Sequence, residues 1–152
     1  MILAIKTAAE TTELYVVNNT TYKIIKEKNW QAGRNLNREL LSEIEKLTSS
    51  SSDLIRESRK NNKLDSRVKS ENDKLWNELT GLIVFTGPGS FTGLRIGVAT
   101  MNALAYGLQI PIVGTNGENW LENGLNRLKN NENDKIAMPE YGAPANITLP
   151  KK

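Results

Sequence analysis

The order of apolar and polar positions separates an extended first part of the chain from a helical second part. Apolar residues run without interruption at positions 2–5 and 14–17, and they alternate loosely with polar ones at 22–28. Short runs of this kind, bounded by small and polar turn residues, are typical of β-strands. The pattern predicts three strands joined by short turns, and hence an antiparallel meander at the start of a sheet.

A helix is predicted over residues 35–48. Its apolar residues recur at intervals of three and four, as one face of a helix requires: Leu36, Leu40, Leu41, Ile44 and Leu47. The four serines at 49–52 are expected to close this helix. They open a polar segment that lasts to about residue 77, and we interpret residues 49–77 as an insertion.

The remaining pattern alternates strands with helices. A continuous apolar run at 82–85 predicts a central strand covered on both faces, and a further strand is expected at 110–113. Helical spacing recurs at 94–108 and 116–129. The order predicts an α/β fold with a mixed sheet in residues 1–130. Residues 131–152 are expected to form an extended tail, because prolines recur in them.

Composition removes several kinds of chemistry. The chain has no cysteine and no histidine, which excludes disulfides, thiolate catalysis, an imidazole base and the commonest zinc ligands. Carboxylates, lysines, tyrosines and hydroxyls remain for any catalysis, and we assign no catalytic residue, metal or cofactor. The first residues lack the pattern of a secretory leader, and no apolar run is long enough to span a bilayer. We predict a soluble, cytoplasmic protein without membrane contact.

The positive charge is local. The chain carries a formal net charge of +3, and residues 56–74, with seven basic and four acidic side chains, account for all of it. Basic side chains can neutralise nucleic-acid phosphates, so an indirect or weak RNA contact is one hypothesis for this segment. A solvated segment of mixed charge is the other, because acidic residues are interspersed.

A glycine-rich turn follows the strand at 82–85 and opens the next helix. We take it as the candidate functional loop, with Gly87, Pro88, Gly89, Ser90, Phe91, Thr92, Gly93 and Arg95 as its members. Glycines allow close backbone approach, the hydroxyls can cap a helix, and a helix start can bind an anion. The Gly-Lys-Ser/Thr ending of a phosphate-binding loop is missing. A structural corner and an anion site both stay open at this point.

Residues 87–97, Gly-Pro-Gly-Ser-Phe-Thr-Gly-Leu-Arg-Ile-Gly, resemble the signature of the TsaB family. The strand before them and the segment 110–115 fit as well, and a weaker resemblance covers 2–10 and 35–48. The resemblance implies an actin-like (ASKHA, ribonuclease H-like) fold of two related halves. The chain has length for the first half, so a shortened, one-domain form is expected.

The resemblance also implies a function. TsaB-like proteins act as scaffolds for TsaD, the enzyme that transfers a threonylcarbamoyl group to tRNA adenosine, and a TsaE-like ATPase joins them. Actin-like enzymes carry an aspartate just after the first strand, whereas this chain has Lys6 there. A non-catalytic, TsaD-binding subunit is therefore expected. The alternatives are a small nucleotide-binding or phosphotransfer protein that uses the glycine loop, and a self-associating structural domain.

In TsaB-like proteins the contact with TsaD uses two helices, and the resemblance implies that residues 35–48 and 92–108 correspond to them. The candidate contact residues are Leu36, Leu40, Ile44, Leu47, Leu94, Val98, Met101, Asn102 and Ala105. The second helix is apolar nearly all round, and such a helix must be covered on more than one side. About half of these residues are expected to be ordinary core. A homodimer through the same surface is the alternative use.

Overall fold

The computed structural model describes residues 1–57 and 76–142, with 50–57 described by their backbone alone. Five strands form one mixed sheet: β1 (Ile2–Lys6), β2 (Thr11–Val17), β3 (Ile24–Gln31), β4 (Gly81–Gly87) and β5 (Ile112–Asn116). Three helices are described: α1 (Leu36–Glu57), α2 (Phe91–Leu108) and α3 (Trp120–Lys129). A 3₁₀ turn at Gly33–Asn35 leads into α1.

The strand order in the sheet is β3-β2-β1-β4-β5. β1 pairs with β2, and β2 with β3, in antiparallel fashion, whereas β1–β4 and β4–β5 are parallel. The predicted meander and the predicted mixed sheet are both confirmed. The centre of the sheet contains β1 and β4. Their apolar runs at 2–5 and 82–85 are buried on both faces, because helices cover both sides of the sheet there.

The core has two parts, one on each face of the sheet. On one face, α1 and α2 pack against the strands through residues such as Leu40, Ile44 and Met101. On the other face, α3 packs through Trp120, whose ring centroid lies 5.9 Å from that of Phe85. The described part of the chain is therefore a three-layer α/β/α sandwich.

The prediction that the serines close α1 is wrong, because the helix continues to Glu57. Two hydroxyls at the predicted end bond back to carbonyls of the preceding turn: Thr48 Oγ1 to the carbonyl of Ile44 (2.7 Å) and Ser49 Oγ to that of Lys46 (3.0 Å). Hydroxyl side chains that bond in this way stay compatible with the helix. Most of the basic segment 56–74, for which indirect or weak contact with tRNA is one hypothesis, lies outside the described residues.

Several element boundaries differ from the predicted ones, and a local turn explains three of them. Tyr22 has φ +56° in the β2–β3 turn, so β3 begins only at Ile24. Gln109, with φ +53°, ends α2, and the Ile110 N–H bonds to the carbonyl of Ala105, so residue 110 belongs to the helix end. Gly117, with φ +77°, delays α3 to Trp120.

The chain after α3 lies along the free edge of β5, and we call residues 132–141 the strap. Ile112 N–H donates to Asn133 Oδ1, and Ile112 O accepts from the Asp134 N–H. Gly114 N–H donates to Asp134 Oδ2 (2.8 Å), and Gly114 O accepts from Arg127 Nη1 (2.7 Å). An exposed strand edge is a template for pairing with other chains, and the strap covers this one.

The strap is also tied to α2 by one amide side chain. Asn102 Nδ2 donates to Ala137 O, and Ala137 N–H donates to Asn102 Oδ1, both at 2.9 Å. Ala137 is buried in the core on the α1 and α2 side of the sheet. Asn102 thus holds a buried backbone donor and a buried acceptor at once.

Replacing Asn102 by alanine should lower the free energy of unfolding by about 1–3 kcal/mol, because it leaves both backbone groups of Ala137 unpaired. Urea denaturation of the purified chain measures the change. Asn123→Ala is the matched control, since Asn123 is an exposed residue of α3. Equal stabilities of the two variants would contradict the anchoring role of Asn102.

We expect low pH to weaken the attachment of the strap, because Asp134 becomes protonated. Partial burial raises the pKa of Asp134, but hydrogen bonds from Arg127 and from the Gly114 N–H outweigh that effect, so the pKa lies below its ordinary value. The folded state therefore binds this proton less readily than the unfolded state. The resulting stability is present at neutral pH and is lost as the pH falls below about 4, through the folded pKa.

We expect wild-type stability to fall more steeply with acid than that of Asp134→Asn, which cannot ionise at this position. Chemical denaturation at a series of pH values between neutral and acid measures both slopes. Glu118→Gln serves as control, because Glu118 is exposed and forms no ion pair among the described residues. If the stability of Asp134→Asn changes with pH as that of the wild type does, the Asp134–Arg127 pair does not contribute to the acid sensitivity.

Candidate functional site

The glycine loop joins the end of β4 to the start of α2. Gly87 has φ +132°, in the region that favours glycine, and the Gly87–Pro88 peptide bond is cis. Ser90 is the N-cap of α2, and its Oγ accepts a hydrogen bond from the Gly93 N–H at 3.4 Å. This bond confirms the predicted capping role of Ser90. It also engages the Gly93 N–H, which is one of the backbone amides that a bound anion would need.

The inner side of the loop is in contact with the β1–β2 turn. A Cβ atom added at Gly93 would collide with the carbonyl oxygen of Thr7, and one added at Gly89 would collide with Ala8. Thr7 Oγ1 donates to Gly93 O (2.7 Å), and the Ser90 N–H donates to Ala8 O (2.6 Å). These glycines are required by close backbone approach, so the structural-corner interpretation has an atomic basis.

The outer side of the loop is covered by the strap. The Glu140 N–H donates to Thr86 O (2.6 Å), and the Glu140 carbonyl leaves no room for a side chain at Gly87. Tyr141 packs on Phe91 with 4.4 Å between ring centroids. The sequence did not predict the contacts of the strap with the loop, nor the contacts that Thr7 and Ala8 make with it. The sequence signal for these contacts was the pair of small residues after β1, and such a pair does not show which residues it will contact.

A groove of about 430 Å³ lies between the starting ends of α1 and α2. Gly33 and Leu36 line one side of it, and Thr92 and Ile96 line the other. Glu10, from the β1–β2 turn, also lines it. The groove is thus bounded by the candidate loop and by both helices of the predicted partner contact.

Lys6 lies at the end of β1, where the actin-like pattern places an aspartate. Its Nζ is 3.0 Å from Glu13 Oε1 and 5.3 Å from the ring centroid of Phe85. Glu13 also accepts a hydrogen bond from the Tyr15 hydroxyl, and burial together with this carboxylate raises the pKa of Tyr15 to about 12. Lys6 is thus held in an internal ion pair.

Acidic side chains do not gather into a metal site in the described part of the chain: no group of three or more could hold an ion within residues 1–57 and 76–142. Over the same ranges, every helix is too short or too polar to cross a membrane.

The residues proposed from the family resemblance as partner contacts mostly face the sheet. Seven are buried in the core of the chain: Leu36, Leu40, Ile44, Leu94, Val98, Met101 and Ala105. Leu47 is half-buried, and so is Asn102, whose amide is bonded to the strap. The outer faces of the same helices expose other residues, which the sequence prediction did not select. Leu41 on α1 is 47% exposed and Tyr106 on α2 is 82% exposed.

Comparison with known proteins supports the sequence resemblance. A family model for TsaD, tRNA N6-adenosine threonylcarbamoyltransferase, matches residues 56–126. The tRNA threonylcarbamoyladenosine biosynthesis protein TsaB of Bacillus subtilis is 51% identical over 35 residues, which are 23% of this chain and 15% of that protein. YeaZ from Pseudomonas aeruginosa superposes on 76% of this chain with a TM-score of 0.51 and 21% identity. The resemblance to the TsaB family is confirmed.

Two further relatives show how local the sequence matches are. The tRNA N6-adenosine threonylcarbamoyltransferase of Geotalea daltonii is 50% identical over 38 residues, which are 25% of this chain and 11% of that protein. The uncharacterized protein ML0378 of Mycobacterium leprae is 32% identical over 85 residues, 46% of this chain and 24% of that protein. The chain spans 43% of the YeaZ structure. The similarity to YeaZ and the family match confirm the actin-like α/β fold.

An alanine at Gly93 should destabilise the fold by about 1–3 kcal/mol, because its Cβ forces the β1–β2 turn away from the loop. Gly107→Ala is the matched control in the same helix, since nothing lies within 4 Å of a Cβ there. That change should stabilise the chain by up to about 1 kcal/mol through helix propensity. Thermal and urea unfolding measure the stability of both variants. A stability change of the same sign in both would contradict the close-contact explanation.

Proposed function

We propose that this chain is a non-catalytic accessory subunit that binds a TsaD-like transferase during threonylcarbamoyladenosine modification of tRNA. The observation that carries the proposal is the pairing of a TsaB-type loop sequence with two neighbouring helices that expose apolar side chains outward. Two of the similar proteins, the transferase of Geotalea daltonii and TsaB of Bacillus subtilis, are named for this tRNA modification. The proposal assigns the chain a supporting part in it.

The outer faces of α1 and α2 form the proposed contact surface. Leu41 and Tyr106 are exposed there, and Ala99 and Ala103 give α2 a shallow profile between its larger side chains. Side chains of this kind fit closely against the helices of another protein, since small residues permit close approach and a buried tyrosine contributes strongly to binding. The buried stripe of each helix has the separate task of holding the helix on the sheet.

Two features of the site support a role without catalysis. The glycine loop is in contact with the β1–β2 turn on one side and with the strap on the other. Lys6 stands in place of a metal-binding aspartate and pairs with Glu13. A nucleotide-binding protein built on this loop would need the loop to be open. Thermal melting with ATP and magnesium tests that alternative, because a bound ligand would raise the melting temperature in a saturable way.

Co-purification with the TsaD-like transferase of the same organism tests the proposal. Leu41→Asp and Tyr106→Asp should each weaken the complex about tenfold or more, because each places a charge in an apolar contact. Ile24→Asp is the matched control. Ile24 is 48% exposed, close to the value for Leu41, but it lies on β3 next to Val17 and the opposite face of the sheet.

The mass of the eluted species identifies the partner. A complex that contains both proteins, and that the Ile24 control preserves, supports the accessory role. A dimer of this chain alone, disrupted by the same two substitutions, would support self-association instead. No complex at micromolar concentrations with folded transferase would refute the proposed function.

A further inference from the structure

The groove between the starts of α1 and α2 contains polar groups that the fold does not use. Its volume is about 430 Å³, and among the described residues that line it Glu10 is the one with a charged side chain. Hydroxyl and apolar side chains make up much of the rest of the lining: Thr7, Thr12, Ser90, Thr92, Leu36 and Ile96. The groove therefore presents hydrogen-bonding oxygen atoms next to apolar carbon, and it includes no basic side chain of the described residues.

The hydroxyl of Thr12 reaches this groove from the sheet. Thr12 pairs with Trp30 across β2 and β3 and lies two residues before Leu14, so its side chain is on the face that α1 and α2 cover. Thr12 is 1% exposed, yet its hydroxyl bonds to no described residue. Thr115 Oγ1 is the unpaired hydroxyl that the described fold seals from solvent, so Thr12 Oγ1 is unpaired but open to the groove. A polar group in so buried a residue normally has a hydrogen-bond partner, which indicates one from outside the fold.

The carboxylate of Glu10 is also left free by the fold. Glu10 is exposed in the β1–β2 turn and forms no ion pair or hydrogen bond with a described residue. Other carboxylates near α1 and β2 are engaged, since Glu13 pairs with Lys6 and Glu43 pairs with Lys28. A carboxylate that lines a groove without a counter-ion attracts a cation.

The helix starts beside the groove do not make it an anion site. Free N–H groups at a helix start favour anions. At the start of α2, however, the Gly93 N–H donates to Ser90 Oγ and the Leu94 N–H donates to the Ser90 carbonyl. A 3₁₀ turn precedes α1, and in it the Asn35 N–H donates to the Ala32 carbonyl. These amide groups are engaged, and the carboxylate in the groove would repel an anion.

We infer that this groove binds the side chain of a lysine on the protein partner. The ammonium group donates hydrogen bonds to the Glu10 carboxylate and the Thr12 hydroxyl, and the aliphatic stem packs along Leu36 and Ile96. A lysine fits this mixed lining because its stem is apolar and its head carries three donors. The inference rests on the proposed function and adds one specific anchor to the contact.

The position of the groove favours a side chain of the partner over a free amine. Leu36 lies at the start of α1, and Thr92 and Ile96 lie at the start of α2. These are the two helices whose outer faces form the proposed contact surface. A single side chain that fills a pocket within such a surface often carries a large share of the binding energy.

Two substitutions that hardly change side-chain shape test the inference with the full chain and the full transferase. Glu10→Gln removes the charge and should weaken binding about tenfold, and Thr12→Val removes the hydroxyl and should weaken it about threefold. Glu118→Gln and Thr11→Val are the matched controls, because Glu118 is exposed without an ion pair in the described chain and Thr11 is on the opposite face of β2. Neither control residue lines the groove, and calorimetric titration measures all four affinities.

Melting temperatures separate an effect on binding from an effect on folding. Thr12→Val replaces an unpaired hydroxyl by a methyl group, so this variant should melt at or above the wild-type temperature. Glu10→Gln should melt as the wild type does, because Glu10 has no partner in the described part of the fold. A clearly lower melting temperature of Thr12→Val would overturn the inference, since the hydroxyl would then serve the fold.

Carbodiimide coupling identifies the occupant, because it joins a carboxylate to an amine that is in contact with it. In the complex, Glu10 should become linked to one lysine of the transferase, which peptide mass spectrometry locates. Replacing that lysine by methionine should weaken binding as much as Glu10→Gln does. Combining the two substitutions should weaken binding no further than either one alone, as expected for two partners in one interaction.

Other outcomes overturn the inference and separate it from the proposed function. If Glu10→Gln and Thr12→Val bind like the wild type while Leu41→Asp abolishes the complex, the groove has no part in a contact that does exist. A link from Glu10 to a second copy of this chain would assign the groove to self-association. If n-butylammonium chloride stabilises the wild type but not Glu10→Gln, and both bind the transferase equally, the groove serves a free amine. If the wild-type chain binds no transferase, the proposed function fails together with the inference.

Discussion

The fold depends on one close backbone approach, that of the β1–β2 turn to the glycine loop. Gly93 leaves the Thr7 carbonyl the space that a side chain would occupy, and Thr7 Oγ1 donates to the Gly93 carbonyl. This contact fixes the start of α2 over the end of β1, and α2 then contributes Val98, Met101 and Ala105 to the core. The glycines therefore set the position of the helix that the proposed function uses.

The strap completes the same arrangement from outside. Its backbone and side chains bond to the free edge of β5, and Asn102 joins it to the middle of α2. Because β5, α2 and the loop are held together by one segment, the outer surface of α2 is supported on a rigid base. A contact surface built on such a base requires little ordering when a partner binds.

Most of the elements could be predicted from the sequence. The apolar runs at 2–5 and 82–85 predicted strands buried on both faces, and the structure places β1 and β4 there. The end of α1 could not be predicted, because serines near a helix end are compatible with stopping or with bonding back to the preceding turn. In the structure Thr48 and Ser49 bond back to the preceding turn, and the helix continues to Glu57.

The sequence by itself determined the loop motif, its family resemblance and the absence of histidine and cysteine chemistry. Only the tertiary structure decided which side of each helix is available. Leu40 and Leu41 are adjacent and chemically identical, yet Leu40 is buried and Leu41 is 47% exposed. Two adjacent leucines do not record in their sequence which of them meets the sheet, because periodicity fixes relative angles and not their direction in space.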